Sequence, residues 1–293
     1  QNKIEKEISN FNKVRKFCKI VNAVDVISDK ESPLTAAKKG KESSMWKAIE
    51  SQKNNITDIS LSAGNTGALL VISRLILNTI DGISKPALAG FWPNKNSMNI
   101  VLDLGANIEC DEKNLFDFAC MGSALYKSLF NIENPKIALL NVGLEETKGN
   151  EVLKKTFGII KKNRIKNFDF SGYIEGNQIM DGKVDVIVTD GFTGNIALKT
   201  AEGTANFITT NLKNSLSKLS ILLSYKSLKK FKDKLDPRKY NGAIFLGLES
   251  PVVKSHGSTD SLGFAHSIDL CNRIVKGNLI EKIKSHLITV DVR

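Results

Sequence analysis

The fold of this chain is decided by the stretch Val186-Ile187-Val188-Thr189-Asp190-Gly191-Phe192-Thr193-Gly194-Asn195. An apolar run typical of a buried strand ends here in a loop of glycine and small polar residues, and a helix is predicted to follow. The same order of strand and loop occurs in residues 59–67, 100–107 and 139–150. Continuous apolar strands suit a parallel sheet covered on both faces, because the alternation of apolar and polar residues is lost when neither face meets water.

These four strand ends predict a common ligand site. Open α/β sheets bind ligands at the carboxyl ends of their strands. Glycines at such junctions let backbone N–H groups approach an anion closely, and the N-terminus of the following helix favours negative charge. We therefore expect the four loops to line one site that suits phosphate.

Strands and helices alternate along most of the chain. After a short N-terminal helix, strands are predicted over residues 19–24, 87–91, 137–142, 168–173 and 184–189, and two more end at residues 62 and 104. Helices are predicted over residues 67–77, 115–130, 152–162 and 194–217, and another starts with Ser43 or Ser44 as its N-cap. This alternation predicts an α/β protein with a mostly parallel sheet, helices on both sides, and a single domain over residues 1–293.

Composition excludes several classes of protein. The 293 residues are 41% hydrophobic and 25% charged, as in ordinary globular domains. No apolar run approaches the roughly 18 residues that suggest a membrane-spanning helix. The four cysteines, Cys18, Cys110, Cys120 and Cys271, have neither C-x-x-C nor metal-type spacing. We expect them to be reduced, buried hydrophobes of a cytoplasmic protein, and we expect no metal site.

Positive charge is concentrated in one segment. The chain carries a formal net charge of +11, and residues 213–239 hold nine basic residues against two acidic ones. Two apolar stripes at helical spacing run through the same region, one formed by Leu212, Leu216, Leu219 and Leu223, the other by Leu228, Phe231 and Leu235. They predict a basic, amphipathic helical hairpin over residues 212–239. Its apolar faces suit core packing, a dimer interface or a membrane surface, and the sequence favours the first two.

None of the four loops matches the dinucleotide G-x-G-x-x-G or the Walker pattern. The segment Gly64-Asn65-Thr66-Gly67, taken alone, is equally typical of a simple turn. What the loops share is an asparagine near each strand end: Asn65, Asn107, Asn150 and Asn195. Lys148 adds a cation to this set, and Asp103 and Asp190 add carboxylates whose charge repels phosphate, so we expect these two to order the loops.

Five motifs in order resemble one known family. They are 62–68 (SAGNTGA), 103–107 (DLGAN), 146–151 (ETKGNE), 190–195 (DGFTGN) and 256–260 (HGSTD). Together they resemble the phosphate acyltransferase PlsX family of bacterial phospholipid synthesis over roughly residues 31–275. The resemblance implies a Rossmann-like three-layer α/β/α sandwich related to phosphotransacetylases. It also implies transfer of a fatty acyl group from acyl-carrier protein to inorganic phosphate, usually by a homodimer.

The resemblance also suggests roles for particular residues. Lys148 is expected to hold phosphate, Asn195 to orient phosphate or donate to the thioester oxygen, and His256 to donate to phosphate or protonate the leaving thiolate. Without the resemblance, His256 is better interpreted as a turn histidine. The remaining candidates for contact with phosphate or the acyl group are Gly64, Asn65, Thr66, Gly67, Asp103, Asn107, Gly149, Asn150, Gly191, Thr193, Gly194, Gly257 and Ser258. No cofactor is implied.

The partners follow from the same resemblance. An acidic acyl-carrier protein and a membrane surface both suit the lysines of the hairpin, and the sequence does not separate them. We expect a cytoplasmic protein that touches the membrane peripherally through Leu216, Leu219, Leu222 and Leu223 and passes acyl phosphate to a membrane acyltransferase. Members of this family open with a strand that runs into an Asp-x-Met-Gly-Gly-Asp loop, so we expect part of the phosphate site to precede Gln1.

Three alternatives stay open. A phosphotransacetylase-like enzyme would use an acyl-coenzyme A donor on the same general fold. A dehydrogenase lacks support because the dinucleotide fingerprint is absent. A nucleic-acid-binding protein draws only on net charge, because aromatic residues do not interleave the basic segment, and it ranks last.

Overall fold

The computed structural model describes residues 2–163, 165–217, 224–226, 228–229 and 236–287. Its strands are β1 (Ser60–Ser62), β2 (Ala87–Pro93), β3 (Met98–Leu102), β4 (Lys136–Asn141), β5 (Asp169–Glu175), β6 (Val186–Val188), β7 (Ala243–Leu246) and β8 (Val252–Lys254). Its helices are α1 (Asn2–Ser9), α2 (Asn12–Arg15), α3 (Pro33–Lys39), α4 (Ser44–Lys53), α5 (Thr66–Leu77), α6 (Glu112–Phe130), α7 (Glu151–Asn163), α8 (Gly191–Ser215), α9 (Ser261–Lys276) and α10 (Leu279–Leu287). Short 3-10 turns cover Gly40–Glu42, Gly176–Asp181 and Pro237–Tyr240.

The eight strands form one sheet in the order β1-β8-β7-β2-β3-β6-β4-β5. Four neighbouring pairs are parallel, and three consecutive pairs, β8–β7, β7–β2 and β2–β3, are antiparallel. The predicted α/β architecture with a mostly parallel sheet and helices on both faces is confirmed. The antiparallel centre was not predicted, and it decides where the loops lie.

Alternating strand residues feed two hydrophobic cores. Ile100 and Leu102 of β3 join the core under α6, α9 and α10, whereas Val101 between them joins the core under α3, α4, α5 and the start of α8. Each such fully buried aliphatic side chain contributes about 1.5–3 kcal/mol to folding. Helix α6 lies deepest, since every residue from Asn114 to Tyr126 is buried.

Helix starts follow the capping signals of the sequence. Ser43 Oγ accepts a hydrogen bond from the Trp46 N–H at 3.2 Å, which confirms the predicted N-cap of α4. Asp111 and Asn114 form a reciprocal capping box at the start of α6. These capping residues determine where each helix begins and therefore where the preceding loop ends.

Two predictions about local structure are wrong. Residues 19–24 form no strand, and Val21 and Val24 are exposed, because no strand edge among the described residues pairs with them. Cys18 is exposed, although a buried thiol was expected. Cys120 and Cys271 are buried as predicted, and Cys110 is partly buried.

The predicted helical hairpin is only partly described. Helix α8 continues to Ser215, and Leu216 follows as its C-cap with extended backbone, so the apolar stripe that begins at Leu212 leaves the helix there. Leu219, Leu222, Leu223, Phe231 and Leu235 lie outside the described residues. Within the described ranges no helix has the length and apolarity needed to cross a membrane.

Candidate functional site

Strand direction divides the predicted loops between two edges of the sheet. Strands β3, β6 and β4 run parallel to one another, and β1 and β8 run opposite to them because three antiparallel steps intervene. The carboxyl ends of β1 and β8 therefore lie at the edge opposite to those of β3, β6 and β4. The expectation that all four loops share one edge is wrong, because the direction of a strand depends on distant pairing.

At the first edge, a buried carboxylate orders the loop after β3. Asp103 is fully buried, and its Oδ1 accepts the N–H groups of Leu88, Gly105 and Ala106 at 3.0–3.1 Å. Its Oδ2 accepts the backbone N–H of Asn107 at 2.7 Å and its side-chain amide at 2.8 Å. Burial raises the pKa of the Asp103 carboxyl, and the hydrogen bonds from Ala106, Leu88 and Asn107 lower it. Residues 103–107 and 190–195 are called the Asp103 corner below.

Helix α8 starts in close contact with this loop. A Cβ on Gly194 would lie 2.0 Å from the Asp103 carbonyl oxygen, and one on Gly191 would lie 2.4 Å from the Asn107 carbonyl oxygen. Only glycine permits this approach. Asn195 Nδ2 donates to the Leu104 carbonyl at 3.1 Å, which ties the first turn of α8 to the same loop.

Most backbone N–H groups of the Asp103 corner already have acceptors inside the protein. Asp190 caps α8, since its carboxylate accepts from both the backbone N–H and the hydroxyl of Thr193 at 2.8 Å. The Gly191 N–H donates to the Asn107 carbonyl, and the Gly194 N–H donates to the Asp190 carbonyl. Two carboxylates thus fill the places where the sequence predicted a phosphate, as expected of residues that order a loop.

The loop after β4, residues 142–150, lies at the same edge and presents a free cation. Lys148 is exposed and forms no ion pair with a carboxylate of the described residues. Gly149 has φ +88°, and a Cβ there would lie 2.4 Å from Asn141 Oδ1, so glycine is required. Asn150 Oδ1 accepts the Leu153 N–H at 2.9 Å in the first turn of α7. This Lys148 loop therefore sets an unpaired ammonium beside a helix start.

At the opposite edge, the loop after β8 positions His256. The Ser258 backbone N–H donates to His256 Nδ1 at 3.3 Å, and the Ser258 hydroxyl lies 2.9 Å from the same atom. Because Nδ1 accepts, the neutral ring carries its proton on Nε2. The exposed His256 can therefore donate a hydrogen bond to an anion. Residues 62–67 and 254–258 are called the His256 corner below.

Asn241 organises this loop from behind. Its Oδ1 accepts the His256 N–H at 2.9 Å, and its Nδ2 contacts the Ser255 hydroxyl at 2.9 Å, the Thr259 hydroxyl at 3.1 Å and the Gly263 carbonyl at 2.9 Å. Nothing in the sequence singled out Asn241. Its role rests on contacts between residues far apart in the chain.

Asn65 joins the His256 corner to the N-terminal part of the chain. Its Oδ1 caps α5 by accepting the Ala68 N–H at 3.0 Å. Its Nδ2 donates to the carbonyls of Ser28, Asp29 and Glu31 at 3.1–3.3 Å, which holds residues 28–31, the strap, against the corner. The N–H groups of Thr66 and Gly67 have no acceptor among the described residues. A Cβ on Gly257 would lie 3.4 Å from the Ala63 carbonyl, so the β1 and β8 loops touch.

Sequence reasoning also missed Lys254, the last residue of β8. It lies beside Ser62 of β1, is partly buried, and donates from Nζ to the Ser255 carbonyl. Burial lowers the pKa of its ammonium group below the usual range. The available signal was its position two residues before His256 in a strand of otherwise apolar residues.

Cys110 lies near the Asp103 corner, and its environment disfavours a thiolate. Burial raises the pKa of the Cys110 thiol to about 12, so the nucleophilic thiolate is scarce near pH 7. In the part of the chain that the structure describes, no cluster of three or more His, Cys, Asp or Glu side chains is arranged to hold a metal ion.

Comparison with known proteins finds similarity along almost the whole chain. A family model described as fatty acid synthesis protein matches residues 1–282. The phosphate acyltransferase of Pelagibacter ubique is 59% identical over 273 residues, which cover 92% of this chain and 82% of that protein. The phosphate acyltransferase of Agrobacterium fabrum is 45% identical over 267 residues, which cover 89% of this chain and 76% of that protein.

Solved structures agree with the fold. A phosphotransacetylase from Streptococcus pyogenes matches with a TM-score of 0.55 at 17% identity, covering 92% of this chain and 83% of that one. The EutD phosphotransacetylase from Staphylococcus aureus matches with a TM-score of 0.54 at 14% identity, covering 94% and 84%. At these identities the likeness concerns the α/β fold alone.

Proposed function

This chain belongs to the phosphate acyltransferase family, and on that premise we propose that it transfers a fatty acyl group from acyl-carrier protein to inorganic phosphate for phospholipid synthesis. A phosphate oxygen attacks the thioester carbonyl, and a tetrahedral oxyanion forms. The C–S bond then breaks, the thiolate takes up a proton, and acyl phosphate leaves. Phosphate is already ionised near pH 7, so the site has to position the dianion and stabilise the oxyanion.

The His256 corner is the phosphate site that the geometry supports best. The observation that carries this assignment is a set of donors that find no acceptor among the described residues: the N–H groups of Thr66 and Gly67 and the Nε2–H of His256. Gly64, Asn65, Gly257 and Ser258 shape the two loops around them. His256 has the right chemistry to donate to phosphate and to protonate the leaving thiolate.

The Lys148 loop is the second candidate, and its unpaired ammonium is the observation that favours it. In this arrangement Lys148, Gly149 and Asn150 bind phosphate, and Asn195 donates to the thioester oxygen from the neighbouring corner. Asp103, Asn107, Gly191, Thr193 and Gly194 then serve to fix the loop geometry, because their polar groups are bonded to one another. Comparing the activities of His256→Ala and Lys148→Ala tests which edge of the sheet binds phosphate.

The acyl donor can be tested directly with the full-length protein. Acyl phosphate formed from a long-chain acyl-carrier protein and inorganic phosphate is trapped with hydroxylamine and compared with the product from the matching acyl-coenzyme A. We expect faster turnover with the carrier protein and a loss of about 10²- to 10⁴-fold on changing His256→Ala, the usual range for a general acid. His266, on α9 outside the corner, provides the control His266→Ala. Equal or faster turnover with coenzyme A would favour the phosphotransacetylase-like alternative.

We propose that the protein is a homodimer that pairs through α8. Beyond its first turn this helix has no fully buried residue, although Leu198 and Ala201 pack partly against the core of the chain itself. Ala205, Ile208 and Leu212, beyond that contact, follow one another at steps of three and four residues, the pattern of a helix–helix seam. Ile208→Glu is expected to yield monomers in analytical ultracentrifugation, whereas Lys199→Glu, off the seam, should leave the dimer intact.

The membrane role rests on the basic apolar segment that begins at Leu216. We propose peripheral binding to anionic lipid through Leu216, Leu219, Leu222 and Leu223, where acyl phosphate passes to a membrane acyltransferase; nucleic acid is not a partner. Replacing Leu219, Leu222 and Leu223 by Ser should weaken binding to liposomes and preserve turnover on soluble acyl-carrier protein. Unchanged liposome binding would exclude this anchor.

A further inference from the structure

Lys254 and His256 leave the sheet on the same face. Val252 packs into the core under α3, α4 and α5, and Val253 packs into the opposite core under α9. The Ser255 N–H donates to the Ser62 carbonyl at 2.9 Å, the ladder bond that pairs Ser62 with Lys254 at the end of β8. Because side chains alternate along a strand, Lys254 shares the face of Val252, and the same alternation carried on through Ser255 places His256 on that face. Ser255 lies on the other face, where its hydroxyl contacts Asn241.

Within the described ranges, the charge of Lys254 has no direct ionic partner. Its ammonium is partly buried, contacts only the Ser255 carbonyl, and forms no ion pair with a carboxylate of the described residues. Among the carboxylates of the described residues, Asp29 on the strap acts on it electrostatically. Burying an ammonium without a counter-ion costs free energy, and a bound anion removes that cost.

We infer that Lys254 is the cation that binds the phosphate substrate at the His256 corner. This assignment rests on the proposed phosphate acyltransferase reaction and names a residue that neither the motifs nor the family resemblance singled out. The partly buried ammonium and the imidazole lie on one face, at a strand end next to the loop whose Asn65 holds the strap. A dianion placed there meets a charge that bulk water only partly screens, which strengthens the attraction relative to an exposed lysine.

The other charged groups near Lys254 belong to the strap, the loop after β8 and the helices on the same face. The strap contributes Asp29, Lys30 and Glu31, and the loop after β8 contributes His256. Strands β1 and β7 carry no charged residue, whereas α3 carries Lys38 and Lys39, α4 carries Lys47, Glu50 and Lys53, and α5 carries Arg74. Raising the pH through the lowered pKa of Lys254 removes its charge, so phosphate binding should weaken at alkaline pH before ordinary lysines titrate.

The test measures the KM for inorganic phosphate in the full-length protein carrying Lys254→Met, Lys254→Arg or the control Lys39→Met. We expect Lys254→Met to raise this KM by about 10- to 100-fold, as loss of a charge-assisted hydrogen bond predicts, with a smaller change in kcat. Lys254→Arg should retain most of the affinity and lose the alkaline rise in KM, because arginine does not titrate there. If Lys254 had only a structural role, the rise in KM at alkaline pH would be the same in the wild type and in Lys254→Arg.

Failure of this inference is distinguishable from failure of the proposed function. An active wild type whose KM for phosphate is unchanged by Lys254→Met overturns the inference alone. A folded wild type that makes no acyl phosphate overturns the proposed function.

In that case, phosphate binding can still be tested by measuring the rise in Tm caused by inorganic phosphate, with potassium chloride of equal ionic strength as the control. A rise kept by Lys254→Arg and lost by Lys254→Met supports the inference, and an equal rise in all three proteins rejects it. If Lys254→Met does not fold, the arginine variant and its pH profile decide.

Discussion

The carboxylate of Asp103 accepts two hydrogen bonds from Asn107, one from its backbone N–H at 2.7 Å and one from its side-chain amide at 2.8 Å. The amide of Asn107 also donates to the Pro86 carbonyl at 2.7 Å, so this pair connects the loop after β3 to the start of β2. The two strands are antiparallel neighbours at the centre of the sheet. A contact between residues close in the sequence thereby stabilises the place where the antiparallel strands β2 and β3 meet.

The charge state of this carboxylate can be tested by Asp103→Asn. An amide in place of Oδ2 would face the two Asn107 donors with hydrogens of its own, leaving buried donors without an acceptor. We expect a loss of about 1–3 kcal/mol in the free energy of unfolding for each such donor, read from urea denaturation. A variant as stable as the wild type would mean that the carboxyl is already protonated.

The close approach of α8 predicts an unequal response of two helical glycines. Gly194→Ala would place a methyl group 2.0 Å from the Asp103 carbonyl oxygen, whereas Gly203→Ala meets nothing within 4 Å. We expect Gly194→Ala to lower the thermal midpoint clearly. Gly203→Ala should stabilise the protein by about 0.5–1 kcal/mol, the difference in helix propensity. Similar midpoints for both variants would contradict the packing described here.

We expect His286 to make the stability of the protein sensitive to acid. Burial lowers the pKa of its imidazole below about 6.5, the ordinary value for histidine. The unfolded state therefore binds more protons, and the wild type loses stability as the pH falls below about 6.5. The charged groups that act on it include Lys127, Lys282 and Glu133.

The measurement is the free energy of unfolding of the wild type and of His286→Leu between pH 8 and pH 5. The stability advantage of the wild type over the variant should shrink on acidification, because only the wild type loses a neutral buried imidazole. A difference that stays constant across this range would assign the acid sensitivity to other groups.

Lys148→Ala distinguishes the two candidate phosphate sites. If Lys148 stabilises the transition state, kcat/KM for phosphate should fall by about 10²- to 10³-fold, as for removal of one oxyanion donor. Lys162→Ala, which removes another exposed lysine at the far end of α7, should leave activity unchanged. Activity of Lys148→Ala equal to that of the control would assign phosphate to the His256 corner.

Local signals in the sequence predicted most of the elements up to α8. Strands β2, β4, β5 and β6, the helices α5, α6 and α7, and the Ser43 cap all lie where apolar periodicity and capping residues indicated. The interpretation of Asp103 and Asp190 as loop-ordering residues agrees with their contacts.

The remaining features depend on contacts between distant residues. Strands β7 and β8 are four and three residues long and carry too little pattern to be predicted. The antiparallel centre of the sheet leaves no local trace, so the separation of the loops onto two edges was missed. Residues 19–24 are apolar enough for a strand, but they find no partner, and pairing with a neighbour is what makes a strand stable.

The side chain of Asn65 both caps the start of α5 and holds the strap. Docking of residues 28–31 and ordering of the first turn of α5 are therefore linked equilibria that share a single free energy. The coupling is reciprocal, because docking of the strap favours the ordered turn by as much as the ordered turn favours docking. Occupancy at this edge of the sheet would be transmitted to the N-terminal residues of the chain, and they in turn would set how tightly the ligand is held.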